Sequence, residues 1–173
     1  MRTFIALDIP EKIKKIIEKI QEELPSFIGK KTELENLHLT LKFLGEIDEK
    51  KVELLKEKLS KINFKKFEAS LGEIGVFNEN FIRIVWIKIE NCDELQKIID
   101  ENLEDLFEKE KRFMSHLTIA RVKNVKNKNE FLKKLKEIKL EKEKFLVDKF
   151  YLKESILKKE GPVYKNLAEF YLN

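Results

Sequence analysis

Residues 36–45, NLHLTLKFLG, and residues 113–123, FMSHLTIARVK, carry one phrase: His-Leu-Thr followed by an aliphatic residue. Between them they hold both histidines of the 173-residue chain, His38 and His116. The interval is 78 residues, and other positions come within one residue of it: Asp48 and Asn127 stand 79 apart, as do Phe4 and Arg83. A repeat at this period is the strongest constraint on the fold, because the second half must build what the first half builds.

Alternation and helical spacing fill in that unit. RTFIALDI (2–9) predicts a strand, stopped by Asp8 and Pro10. Over 11–24, Ile13, Ile16, Ile17, Ile20 and Leu24 fall on one helical face. A strand is expected over 37–43, closed by Gly45, then a helix capped by Asp48 that buries Val52, Leu55, Leu59 and Ile62. FEASLGEIGVF (67–77) predicts a strand whose glycines mark a bend or bulge.

The second half repeats the order. FIRIVWIKIE (81–90) predicts a strand, and Asp93 with Gln96 suggests a capping box before a helix carrying Leu95, Ile98, Ile99, Leu103 and Leu106. A strand over 116–122 follows, then a helix near 127–139 that buries Leu132, Leu135 and Ile138. Residues 143–158 read as one strand, and PVYKNLAEFYL closes the chain. The fold class expected is α+β. Two pseudo-symmetric lobes of antiparallel sheet, with helices packed outside, would flank a central groove. One domain, 1–173, would hold two interleaved lobes, with repeats near 2–77 and 81–158.

Size and composition agree with this. A chain of this length buries roughly 70% of its unfolded surface and needs no disulfide or structural metal to fold. Cys92 is the single cysteine, so no disulfide framework exists and a reducing interior is expected. No apolar run spans a membrane and the first residues lack a secretory pattern, so a soluble, cytoplasmic protein is expected, and a monomer is expected besides. Charged residues make up 39%, mostly Lys and Glu, yet the formal net charge is only +4. Such density fits a solvated surface and a heat-adapted protein, and it tolerates a polyanionic partner without demonstrating one.

On a strand, residues two apart share a face. His38, Thr40 and Lys42 then point one way, with Leu39 and Leu41 behind them. His116 and Thr118 share a face, with Leu117 and Ile119 behind. Strict alternation sends Arg121 to the opposite face unless the strand first ends or bulges.

Two such strands facing across a pseudo-twofold axis would gather two imidazoles and two hydroxyls in a groove. An imidazole pair can hold one neutral base and one protonated acid near neutral pH, and hydroxyls can donate to oxygens that gain charge. A phosphodiester fits: one histidine activates water, the other protonates the leaving oxygen. A lone histidine beside apolar residues is usually structural. Its occurrence twice, in matching tetrapeptides, favours chemistry. A zinc site is the weaker alternative, since Cys92 lies outside the repeated phrase and no carboxylate spacing completes a ligand set.

The paired HLTL and HLTI resemble the two His-x-Thr-x motifs of the 2H phosphoesterase superfamily. Within it the chain is similar to the RNA 2′,3′-cyclic phosphodiesterases, also called 2′-5′ RNA ligases. RTFIALDIP resembles the family's opening strand, and FLVDKFYLKES and GPVYKNLAEFYL its closing strands. One departure is visible: Ser115 stands where many members have proline.

The resemblance implies a hydrolase acting on an RNA 3′ end that bears a 2′,3′-cyclic phosphate, tRNA halves among the possible substrates. The product would be a 2′-phosphate, and no metal or other cofactor would take part. It implies that His38 is the proton donor and His116 the proton acceptor, that Thr40 and Thr118 bind the phosphate, and that Arg121 helps neutralise it. Lys42 is a further candidate on geometry. Trp86, Phe4, Tyr151 and Arg83 could meet a base or a phosphate, but they also suit ordinary packing. Two alternatives stand beside hydrolysis: a non-catalytic module for RNA ends or nucleotides, and 2′-5′ ligation as the main activity.

Overall fold

The computed structural model describes residues 1–173. β1 (Arg2–Asp8) is followed by α1 (Glu11–Glu23), β2 (Ile28–Lys31), a 3-10 turn (Leu34–Asn36), β3 (His38–Glu46), α2 (Glu49–Ser60) and β4 (Phe67–Val76). The second half runs β5 (Ile84–Glu90), α3 (Asp93–Asn102), β6 (His116–Asn124), α4 (Lys128–Glu137), β7 (Lys144–Val147), β8 (Lys149–Lys158) and β9 (Gly161–Tyr171).

Two antiparallel sheets result, in strand orders β3-β1-β8-β9 and β2-β6-β5-β4-β7. The fold is α+β. The sheets approach each other where β3 meets β6. The halves exchange parts: β4, from the first half, pairs with β5, and β8, from the second, pairs with β1. Helices cross as well. α1 packs on β6 and α4 on β4, while α3 packs on β3 and α2 on β9.

Local chemistry explains the elements. α1 presents Ile13, Ile17 and Ile20, all buried, at helical spacing, and Pro10 precedes its first turn. The Asp48 side chain accepts from Lys51 N at the start of α2, and Asn127 accepts from Glu130 N at the start of α4, so both repeats cap this helix alike. α3 differs from expectation. Its N-cap is Cys92 with no side-chain cap, Asp93 is already helical, and the Gln96 amide turns inward to Asp100. In α4 the buried residues are Phe131 and Leu135, while Leu132 and Ile138 are only partly covered.

One strand lies outside the predicted set and one strand prediction is corrected. β2 had no signal, because four exposed residues, IGKK, present no alternation. The segment 143–158 is two strands in different sheets: Asp148 separates β7, which pairs with β4, from β8. The bend expected in β4 is real, with a register shift between Leu71 and Ile74 around Gly72.

Candidate active site

β3 and β6 carry the repeated phrase and have the same burial sequence, residue for residue. Leu39, Leu41, Leu117 and Ile119 are at most 1% exposed and anchor the strands from behind. Burying each contributes about 2 kcal/mol. His38, Thr40, His116 and Thr118 line one groove of about 560 Å³ between the sheets.

Each imidazole is held in the same way. His38 Nδ1 lies 2.8 Å from the carbonyl of Asn36, and His116 Nδ1 lies 2.8 Å from that of Met114. A carbonyl only accepts, so Nδ1 carries the hydrogen in both rings and Nε2 is the free nitrogen. Each Nε2 can therefore take a proton when its ring is neutral or give one when it is charged.

The surroundings of the two rings differ. His38 packs against Phe4 at 5.0 Å and edge-on to Tyr164 at 4.7 Å between ring centroids. Burial there pushes its pKa below the usual histidine value, and the nearby Lys153 and Arg121 charges add to the effect. The Asn36 carbonyl and the Asp8 carboxylate oppose it. Asp8 pairs with Lys153 at 2.8 Å. His116 meets Phe77 edge-on at 4.9 Å, and Phe77 in turn leans on Trp86.

Arg121 and Lys42 exchange places relative to strict alternation. The register of β6 on β5 runs Trp86↔Thr118 and then Val85↔Ala120, leaving Ile119 unmatched. The register of β3 on β1 runs Ala6↔Thr40 and then Ile5↔Lys42, leaving Leu41 unmatched. Each strand thus carries a bulge that swaps its faces. Arg121 is turned into the groove. Lys42 is turned away from it, to 2% exposure, where it pairs with Asp100. The expectation that Lys42 shares the face of His38 and Thr40 is corrected accordingly. Phe43, 64% exposed, takes the place in β3 that Arg121 takes in β6.

Other groove residues had no motif to announce them. Arg2, Lys30, Lys31 and Asn36 come from β1, β2 and the turn before β3, and Tyr164 from β9. A two-residue alternation through PVYKN was the only signal for Tyr164. Of the aromatic candidates Phe4 lines the groove, whereas Trp86 and Tyr151 do not. Arg83 lies over the Phe81 ring and donates to the carbonyls of Ile82 and Lys123. No three His, Cys, Asp or Glu side chains gather as a metal-holding group. No helix is long and apolar enough to cross a membrane.

Chemically, the two motif strands bring two Nε2 atoms, two threonine hydroxyls and the Arg121 guanidinium to one space, which Arg2, Lys30 and Lys31 also line. Known proteins share this arrangement of sequence and fold. The chain matches the LigT-like phosphoesterase family over residues 7–86 and again over residues 88–164. It is 43% identical over 181 aligned residues to the RNA 2′,3′-cyclic phosphodiesterase of Methanocaldococcus jannaschii, covering 98% of this chain and 100% of that one. Identity to the RNA 2′,3′-cyclic phosphodiesterase of Archaeoglobus fulgidus is 38%, covering 98% and 99%. The crystal structure of TT0787 of Thermus thermophilus superposes with a TM-score of 0.82 at 29% identity, covering 99% and 97% of the two chains. The fold is also that of Escherichia coli LigT complexed with 3′-AMP, with a TM-score of 0.77 at 22% identity over 99% and 98% of the chains.

Proposed function

The chain belongs to the LigT-like phosphoesterases, and on that premise we propose that it hydrolyses 2′,3′-cyclic phosphate ends of RNA to 2′-phosphomonoesters without a metal. The observation that carries this reading is the matched pair of imidazoles, each with Nδ1 tied to a carbonyl two residues back and each lining the same groove. Full-length relatives named RNA 2′,3′-cyclic phosphodiesterase support the choice of substrate.

In the proposed reaction the cyclic phosphate sits between the two motifs. His116 Nε2 takes a proton from water as its oxygen attacks phosphorus. The bond from phosphorus to the 3′ oxygen breaks, and His38 Nε2 delivers the proton that makes this oxygen a hydroxyl. Thr40 and Thr118 donate to the non-bridging oxygens, and Arg121 offsets the charge that grows on them. Each turnover leaves His38 neutral and His116 protonated, and exchange with solvent resets the pair.

The lowered pKa of His38 bears on its role. Without an anion beside it the ring favours the neutral state, so little of the proton-bearing form is present until an anion arrives. The phosphate's negative charge favours imidazolium and raises the pKa again, so substrate itself would arm the donor. The decisive experiment uses an RNA oligomer ending in a 2′,3′-cyclic phosphate. His38→Ala and His116→Ala should each lower kcat by at least about a hundredfold while the oligomer still binds. Retained turnover in either variant contradicts the assignment, and binding without turnover in the unmodified protein makes this a recognition module.

A further inference from the structure

Arg121 reaches the groove only because β6 bulges at Ile119, and a buried amide holds that bulge. Gln21, on α1, is 5% exposed. Its Nε2 donates to the Ile119 carbonyl at 3.0 Å and to the Thr32 carbonyl at 2.8 Å. Ile119 has no partner residue on β5; its carbonyl faces the β2 side of the strand, where it accepts from Thr32 N, one residue past β2, and from Gln21. The second acceptor, Thr32, lies in the segment that leads into the strand of His38.

The other half contains the equivalent device in different chemistry. Asp100 on α3 stands 79 residues after Gln21 and is also 5% exposed. It binds the Lys42 ammonium, next to the unmatched Leu41, and accepts at 2.7 Å from Glu110 N, in the segment that leads to His116. Each tie therefore grips the bulge of the opposite motif strand and the approach to its own. The pairings are complementary in size. Ala120, which stands where Lys42 stands in the other half, has no group to pair, and the long Gln21 bonds the backbone instead, whereas long Lys42 meets short Asp100.

We propose that Gln21 is a positioning residue for the phosphate site: by fixing the bulge at Ile119 it holds Arg121 on the face of His116 and Thr118. This rests on the phosphoesterase reading only in that it gives Arg121 a phosphate to meet. The Gln21 side chain hydrogen-bonds no groove residue except the Thr32 carbonyl; it acts through the backbone two residues before Arg121.

A double-mutant cycle tests this, with Gln21→Met, Arg121→Ala and both together, in the full chain. Gln21→Met keeps the length of the side chain and removes its donors. Two readouts are taken: kcat/KM on an oligomer ending in a 2′,3′-cyclic phosphate, and affinity for inorganic phosphate by calorimetry. Misplacing the guanidinium should cost about tenfold to a hundredfold in kcat/KM, and the loss should almost vanish when Arg121 is already Ala. Additive losses, or an unchanged kcat/KM in Gln21→Met, overturn the proposal. If Gln21→Met does not fold, Gln21→Asn, whose amide stops one methylene short, replaces it in the same cycle. If the unmodified protein does not hydrolyse the oligomer, the phosphoesterase reading fails by itself, and the phosphate-binding cycle decides whether Gln21 acts through Arg121.

Discussion

His38 and His116 share one phrase, one hydrogen-bonding scheme and one groove, yet only His38 is wrapped by Phe4 and Tyr164. The consequence is measurable in the pH dependence. The free protein's donor titrates below about 6.5, the ordinary histidine value. The His38 imidazole, followed by NMR, should therefore titrate at higher pH with phosphate bound than in the free protein. A titration unchanged by phosphate would contradict arming of the acid by substrate. The same shift acts on stability. The folded pKa lies below the unfolded one, so the unfolded chain protonates first, and stability falls as pH drops below about 6.5. At Thr118, substitution by Ala should lower kcat by about tenfold to a hundredfold with little change in melting, as loss of a hydrogen bond to developing charge would do.

At the scale of the element, the bulge does what periodicity cannot foretell. The positions of β1, α1, β3, α2, β5, α3, β6 and α4 were legible because their apolar residues recur at two or at 3.6, with Asp48 and Asn127 marking two helix starts. The histidines and threonines were legible for the same reason, since alternation places them on one face. Alternation then misplaces the residues just beyond the bulge: it put Lys42 in the groove, and it set Arg121, which the family resemblance placed at the phosphate, on the opposite face. No residue type in HLTLKF or HLTIAR announces a bulge; the signal is tertiary, from Gln21 and Asp100 on helices far along the chain. β2 went unseen because its pairing with β6, not its own pattern, makes it a strand. A related contact gives an element-level prediction. A Cβ at Gly75 would lie 2.7 Å from the Trp86 ring, on which Phe77 leans, with His116 edge-on to Phe77. Gly75→Ala should cost about 1–3 kcal/mol in chemical denaturation. Wild-type stability would show that the ring has room to move.

For the whole molecule, exchange of β4 and β8 between the sheets and the crossed packing of the helices make each half dependent on the other. A single apolar cluster of 36 buried residues runs through both sheets. We therefore propose that residues 1–173 act as one interleaved unit, expected to unfold in one cooperative transition by both fluorescence and circular dichroism. Two separated transitions would contradict this. The Lys42–Asp100 pair ties the halves at their centre, with side chains 2% and 7% exposed. Burial would raise the Asp100 carboxyl, but the Lys42 ammonium, Glu110 N and the Gln96 amide together hold it below the usual aspartate range. The pair's contribution is thus complete above about pH 4 and lost as pH falls through the lowered folded value. Lys42→Met, which strands that carboxylate, should cost about 3–5 kcal/mol. Lys42→Met with Asp100→Leu should cost markedly less, and equal losses would show that the charge is not what matters.

In the proposed reaction two imidazoles open a cyclic phosphate, one as base and the other as acid. The measurement closest to it is the product formed from an RNA oligomer ending in a 2′,3′-cyclic phosphate, incubated in EDTA from about pH 5 to about pH 9. A 2′-phosphomonoester formed with a bell-shaped rate profile is the expected result. A 3′-phosphomonoester would exchange the donor and acceptor roles of His38 and His116, and activity that vanished in EDTA and returned with zinc would contradict the metal-free pair.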